Sequence, residues 1–519
     1  MAVWSEGYFT DVEYTNFYYR ELSPLVLNLH LTMAGFAIPC GGGGDICPKD
    51  GFSYLELAFG CGGSINIHAA TTNGEYVGTD FNPSQVAIAK SYVQSANIIL
   101  YEDSFKQLLE CFEKEQPQFD YIVFHGIFSW ISQENRNIIL EIIRRFLKVG
   151  GVVYNSYNCM PGWSPKSPTR ELLGLYKELN HSAEIDTQGL VKNTLAFFES
   201  FLETKPFYAE HSPQNKQMLE HLKSRDFTYV SHEYFNQNWD CFYFYQVAKM
   251  MEEAKCSFAT EGKFLHYFDG YNFNADAIAF LSKIQNRIFK EQLKDYYLNQ
   301  QFRRDIYIKG ARRISQREAK ERLSKTYFTL LMPITHFQEK MQFPLGEANL
   351  QKDLYQGVLK FLEKDNYKAK SLEEIMEACK IDFLLASQVI FILAEQAMVL
   401  PVQPVSKELQ ERARAYNLGV LKKQGFSAES SLFIAAPRIA SGILVSNVEQ
   451  IVMRAYLQGS KKETEFVNYV MRAFKENNQG FMKDGKVLES EAENKAAIKE
   501  VVKEFLEKVP IYKVLGILE

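Results

Sequence analysis

Leu55-Glu-Leu-Ala-Phe-Gly-Cys-Gly-Gly-Ser-Ile-Asn-Ile-His68 is the stretch that decides the fold. A short apolar strand carrying one acidic residue, Glu56, runs into Gly60 and Gly62, and a helical pattern follows to Thr71. Glycines at that point let the backbone approach a ligand closely. The helix start behind them offers exposed N–H groups. Downstream the alternation repeats. Tyr76 to Asp80, Asn97 to Tyr101, Phe119 to Phe124 and Gly151 to Tyr157 read as strands. Helical patterns from Pro83, Ser104 and Gln133 separate them. Strands alternating with helices at this interval mean repeated βαβ units and a parallel sheet. Helices on both faces explain a strand as apolar as Tyr121-Ile-Val-Phe124. Ligands of such sheets sit outside the carboxyl ends of the strands.

Outward from this core the chain divides into five regions. Residues 1–52 read as an N-terminal helical segment ending in a glycine-rich loop, Cys40-Gly-Gly-Gly-Gly-Asp-Ile-Cys47. No His or third Cys lies near those two thiols, so no metal site is expected. The core spans 53–265, with a helical cap inserted at about 158–230. Phe227 to Asn236 and Cys241 to Tyr245 are aromatic-rich; a helix and the strand Cys256 to Thr260 then complete the sheet. Residues 266–345 read as a helical middle region. Within it Arg303 to Lys325 holds nine basic residues against three acidic ones. That stretch reads as a solvated helix face and leaves RNA binding open. Residues 346–405 resemble a winged-helix arrangement. Its second helix, Phe383 to Ala397, has no basic residue to approach phosphates, so a structural or protein-binding role is expected. Residues 406–519 read as a C-terminal helical domain.

Composition narrows the classes. With 519 residues, 46% hydrophobic and 23% charged, the chain is globular rather than disordered. A net charge of −5 argues against a simple nucleic-acid binder. No signal-peptide run and no bilayer-length apolar span is read, and the eight cysteines form no Cys-x-x-Cys pair. A reduced, cytoplasmic protein is expected, and a homo-oligomeric state is left open.

The dinucleotide fingerprint wants a third glycine, where this chain has Ile65. Instead the spacing Glu56-x-Ala58-x-Gly60-x-Gly62 matches S-adenosylmethionine motif I, with alanine in place of the first glycine. Asp80 ends the second strand, where a carboxylate can accept from both ribose hydroxyls. Asp103-Ser104 ends the third, within reach of an adenine amino group. Taken with Gly78-Thr-Asp-Phe-Asn-Pro83, His125-Gly-Ile-Phe-Ser-Trp130, Lys148 to Asn158, Met160-Pro-Gly-Trp163 and Tyr229-Val-Ser-His-Glu-Tyr-Phe-Asn236, the sequence resembles a bacterial class I methyltransferase family that carries a methyltransferase regulatory domain. Members of that family include protein-lysine methyltransferases.

The resemblance implies an α/β, Rossmann-like core with a helical cap and mainly helical C-terminal domains. It implies S-adenosylmethionine as methyl donor, S-adenosylhomocysteine as product, and an enzyme acting on a protein side chain, lysine Nζ first. Nucleic acid is an unfavoured partner, because the chain lacks an Asn/Asp-Pro-Pro-aromatic motif after strand four. A small-molecule methyltransferase and a non-catalytic, S-adenosylmethionine-binding scaffold remain alternatives. The expected donor-site residues are Glu56, Ala58, Gly60, Gly62, Asp80, Phe81, Asp103, Ser104 and His125. His125, Tyr157 and Asn158 are the catalytic candidates. Trp130, Trp163, His232, Glu233, Tyr234 and Asn236 are expected to line the acceptor pocket.

Overall fold

The computed structural model describes residues 7–8, 17–39, 45–93, 95–180, 185–424, 431–483, 486–488 and 490–519. Cys40 and its four following glycines lie outside the described residues. Five strands, β1 (Ser53–Leu57), β2 (Glu75–Thr79), β3 (Ile98–Tyr101), β4 (Phe119–Phe124) and β5 (Leu147–Asn158), run parallel. β6 (Cys256–Glu261) and β7 (Phe302–Lys309) complete the sheet, with β7 antiparallel to both β5 and β6. The strand order is β3-β2-β1-β4-β5-β7-β6. The strand order switches sides at β1, where β2 and β3 lie to one side and β4 and β5 to the other, opening a crevice between the β1 and β4 ends.

Strand alternation sends successive side chains to opposite faces. Tyr121 and Val123 join one layer with Leu27 and Leu31 of α1 (Pro24–Met33), Ile65 and Ala69 of α2 (Gly63–Thr71), and Val86 and Ala89 of α3 (Pro83–Ser91). Ile122 and Phe124 join the other with Leu108 and Phe112 of α4 (Phe105–Glu115) and Ile139, Ile143 and Phe146 of α5 (Gln133–Phe146). Local chemistry sets the helix starts. Asn82 caps α3 ahead of Pro83, and Ser104 and Gln107 form a reciprocal capping box on α4.

The cap comprises α6 (Ser167–Asn180), α7 (Thr187–Glu203), α8 (Phe207–His211), α9 (Gln214–Lys223) and α10 (Phe227–Phe235). It has its own apolar centre, including Leu173, Phe198, Leu222, Val230 and Tyr234. Thus the cap runs through the aromatic-rich stretch rather than stopping at 230.

The expected basic helix face over Arg303–Lys325 is corrected by β7. Arg303 and Asp305 project to one side of that strand and pair with each other at 2.9 Å, while Ile306 and Ile308 fill the opposite layer. Arg304 pairs with Glu21 at 3.2 Å, and Lys309 Nζ donates to the carbonyls of Arg144 and Leu147. The helix Gln316–Ser324 then pairs Arg317 with Glu321 and Arg322 with Glu318. A strand whose charges are compensated by distant residues carries no alternating-apolar signature, which is why it reads as polar surface.

Beyond the sheet, Tyr327–Leu330 is the middle strand of a three-stranded antiparallel sheet, flanked by Lys370–Ser371 and Val399–Pro401. That middle strand precedes the winged-helix-like region as delimited from sequence. Helix Phe383–Glu395 buries Val389, Ile390, Phe391 and Leu393 in one apolar cluster with Leu25 and Leu29 of α1. Its C-terminal half is a packing element of that cluster. The C-terminal region carries the hairpin Leu432–Ala436/Ser441–Val445 and docks on α2, where Tyr18 Oη lies 2.6 Å from Ser441 Oγ and Gln403 Nε2 donates to the Thr71 carbonyl. Among the described residues no helix is long and apolar enough to cross a membrane.

Candidate functional site

A cavity of about 410 Å³ opens at the carboxyl ends of the parallel strands. Its floor is the loop after β1. Ala58 lies at φ +55°, Gly60 at +59° and Gly62 at +75°. Left-handed backbone costs a non-glycine residue about 1–2 kcal/mol. Replacing Ala58 by glycine is therefore expected to raise unfolding free energy by about 1 kcal/mol without weakening ligand binding. Gly62→Ala is expected to do the reverse, because a Cβ there would stand 2.5 Å from Ala89 Cβ. Thermal unfolding of the two variants checks both signs.

Asp80, directly after β2, ties this loop down. Its Oδ2 accepts the Gly60 N–H and its Oδ1 the Asn82 N–H, each at 2.9 Å. Burial pushes its carboxyl up to about 6 against the opposing pull of those N–H groups. Glu56, inside β1, is pushed by burial to about 8, and its Oε2 has no hydrogen-bond partner. A buried, unpartnered acceptor in a cavity wall is a group waiting for a donor. Asp103 and Ser104 border the same cavity from the β3 end.

His125 follows β4. Its ring stacks on Tyr19 at 3.8 Å, and its Nδ1 lies 3.0 Å from Tyr154 Oη. Burial pushes its pKa down to about 4, so the imidazole is neutral near pH 7. Asn158 ends β5, with its Nδ2 buried and unpartnered.

The opposite wall comes from the cap. Tyr229, His232, Glu233 and Asn236 line the cavity at intervals of one helical turn. Trp130 and Trp163 line it from the loops after β4 and β5. The cap is fastened by Arg170 of α6. Its guanidinium lies 4.3 Å from the Trp239 ring centre and 5.7 Å from Trp130. Its Nε donates to the Glu233 carbonyl at 3.0 Å and its Nη2 to the Asn236 carbonyl at 3.3 Å.

The cavity thus gathers Glu56, Ala58, Gly60, Asp80, Phe81, Asp103, Ser104, His125, Trp130, Asn158, Trp163, His232, Glu233 and Asn236. Three sequence candidates fall elsewhere. Tyr157 is corrected: its side chain belongs to the opposite face of β5, where its hydroxyl donates to Asp305 Oδ2 at 2.5 Å. Tyr234 is corrected too, being part of the cap's apolar centre. Gly62 caps α2 rather than lining the cavity. Sequence reasoning missed Tyr8, Phe17, Tyr19, Tyr229 and Phe302, all cavity-lining aromatics. The N-terminal ones arrive from outside the βαβ pattern; the run Phe17-Tyr-Tyr19 was the one available signal.

Comparison with known proteins bears on the fold and the family. Residues 57–153 match the family described as a methyltransferase domain, and residues 226–309 match a "predicted methyltransferase regulatory domain". The uncharacterized protein sll1526 of Synechocystis sp. is 34% identical over 99% of both chains. The uncharacterized protein RP789 of Rickettsia prowazekii is 25% identical over 57% of this chain and 51% of its own. Among solved structures, PKMT2 from Rickettsia typhi in complex with AdoHcy superposes with a TM-score of 0.69 at 19% identity, over 97% of this chain and 99% of that one. That likeness establishes a shared fold. The chain belongs to the class I S-adenosylmethionine-dependent methyltransferases that carry a methyltransferase regulatory domain.

Proposed function

We propose that this class I methyltransferase methylates a protein side chain, with lysine Nζ as the acceptor. One observation carries the reading. The described cavity wall holds four carboxylates, Glu56, Asp80, Asp103 and Glu233, with aromatic faces between them and neither lysine nor arginine. Such a lining favours cations and disfavours phosphate-bearing acceptors. A sulfonium donor and an ammonium acceptor are both cations. The fold shared with PKMT2 from Rickettsia typhi, solved in complex with AdoHcy, is consistent with the sulfonium donor.

In this reading S-adenosylmethionine supplies an activated methyl group for in-line displacement. Glu56 offers its unpartnered oxygen to the amino-acid end of the donor, Asp80 to the ribose hydroxyls, and Asp103 with Ser104 to the adenine edge. Phe81 flanks the ribose side. His125 is a neutral contact beneath the donor rather than a strong base, given how far burial lowers its proton affinity. Trp130, Trp163, His232, Glu233 and Asn236 hold the acceptor, and Asn158 donates to it through Nδ2. These side chains supply proximity and orientation, the main contribution to such a displacement.

The test is transfer of tritiated methyl from S-adenosylmethionine into a lysate of the source cells. Protease-sensitive label that hydrolyses to methyl-lysine is the expected result. Nuclease-sensitive label, or label confined to the small-molecule fraction, would overturn the proposed acceptor.

A further inference from the structure

We infer that Glu233 is the group that receives the ammonium of the acceptor and takes its proton before methyl transfer. The inference rests on the amine-methylating reading above and deepens it. It begins from placement. Three of the four cavity carboxylates, Glu56, Asp80 and Asp103, belong to the ends of β1, β2 and β3, the donor side. Glu233 alone among the described cavity carboxylates comes from the cap, across the space. Tyr8 joins the two sides: it packs edge-on against Phe81 at 5.8 Å and lies 5.8 Å from the His232 ring, and both Asp80 and Glu233 act on it electrostatically. Glu233 and the donor-side Asp80 are thus both within electrostatic reach of one and the same group, Tyr8, at the boundary between cap and donor side.

The surroundings suit this role. Arg170 is the cation whose field reaches Glu233, but its Nε and Nη2 are committed to the carbonyls of Glu233 and Asn236. The carboxylate itself is left to a ligand. Tyr229 and Tyr234 from its own helix, Tyr8 from the N-terminal segment and Cys241 beyond the cap are the other titratable groups within its electrostatic reach. Burial pushes Glu233 up to about 7, offset in part by Arg170. A proton acceptor works best with a pKa near the working pH. His125, held at about 4, is poorly matched to that task.

The balance is simple. The ammonium N–H proton passes to a Glu233 carboxylate oxygen, leaving a neutral amine. The amine lone pair forms the N–CH3 bond as the S–CH3 bond breaks, and the sulfonium becomes a thioether. The new secondary ammonium carries the positive charge away, and Glu233 returns its proton to solvent. The aromatic faces of Tyr8, Tyr229 and Trp130 accommodate an ammonium and its methylated product alike.

The experiment compares wild type with Glu233→Gln in the full chain, using total protein of the source cells as acceptor. Wild-type kcat/KM is expected to rise as pH passes about 7, because the carboxylate must be ionised. The variant is expected to lose that limb and fall about 100-fold in kcat, the usual worth of a positioned base. Affinity for S-adenosylhomocysteine, read by calorimetry, is expected to stay within about twofold, which separates chemistry from misfolding. Carboxyl-13C NMR should show one glutamate titrating near 7 that is missing from the variant. Equal rates and pH profiles in the two proteins, or a Glu233 titrating below 5, overturn the inference while leaving lysine methylation standing. Wild type that labels no lysine overturns the reading beneath it.

Discussion

Arg303→Met is expected to destabilise the protein by about 3–5 kcal/mol, the cost of breaking a buried charge pair by removing one partner. Arg303 is 1% exposed. Its Nη1 meets Asp295 Oδ1 at 2.5 Å, and its Nη2 meets Asp305 Oδ1 at 2.9 Å and Glu291 Oε1 at 3.3 Å. The guanidinium also lies 4.3 Å above the Phe244 ring. Methionine keeps the apolar stem and the volume but leaves three carboxylates facing one another. The loss is about a fifth or more of the roughly 5–15 kcal/mol that holds a typical domain. Its pH dependence has a definite sign. Burial pushes Asp295 up to about 7 and also raises Asp305, with Arg303 opposing both shifts. Without Arg303 both rise further. A carboxyl whose folded pKa exceeds its unfolded value stabilises the fold below that value and ceases to do so as pH rises through it. The deficit of the variant should therefore be larger at pH 8 than at pH 6. Urea unfolding at the two pH values reads it directly. A deficit under 1 kcal/mol, or one equal at both pH values, would mean that water reaches the cluster and screens it.

The same cluster explains where sequence reading succeeded and failed. The βαβ rhythm was legible because β1 to β4 are short, mostly apolar segments separated by helical patterns at regular intervals. β7 was not, since Arg303, Arg304 and Asp305 look like surface until Asp295, Glu291 and Glu21 arrive from elsewhere in the chain. Tyr157 shows a different failure. β5 is buried on both faces along Gly151 to Asn158, so composition does not say which alternate residues face the cavity. Tyr154 lies in one layer and Tyr157 in the other. The cap helix could have been resolved further. Tyr229, His232, Glu233 and Asn236 follow the i, i+3, i+4, i+7 pattern of one helical face, whereas Tyr234 sits with Val230 on the other. Reading Phe227–Phe235 as a helix would have separated site from core without coordinates. The contribution of Tyr8 and Tyr19 would still have been missed, because both lie outside the βαβ pattern and belong to no periodic segment.

Asp80→Ala should abolish useful donor binding, lowering S-adenosylhomocysteine affinity by at least about 100-fold. Two functions converge on this carboxylate. It satisfies the N–H groups of Gly60 and Asn82, which fixes the glycine loop against the end of β2. It also faces the cavity, where the acceptor capacity left over by the Gly60, Asn82 and Phe81 N–H groups is open to a donor hydroxyl. Hydrogen bonds to a charged group are worth about 1.5–3 kcal/mol each. Losing two accounts for about 3 kcal/mol or more, or about 100-fold in affinity. Asp80→Asn separates the two functions. Its amide oxygen can still hold one loop N–H, so the fold should survive, but the charge is gone and affinity should fall by about tenfold. The pH response follows from the same placement. The free carboxyl sits at about 6, and donor hydroxyls favour its ionised form, so wild-type affinity should weaken as pH falls below 6. The Asn variant has no such carboxyl and should show a flatter profile. Calorimetric titration at pH 5, 6 and 7.5 distinguishes these cases. Asp80→Ala binding within threefold of wild type would move the ribose contact to another cavity carboxylate, with Glu56 and its unpartnered oxygen next in line.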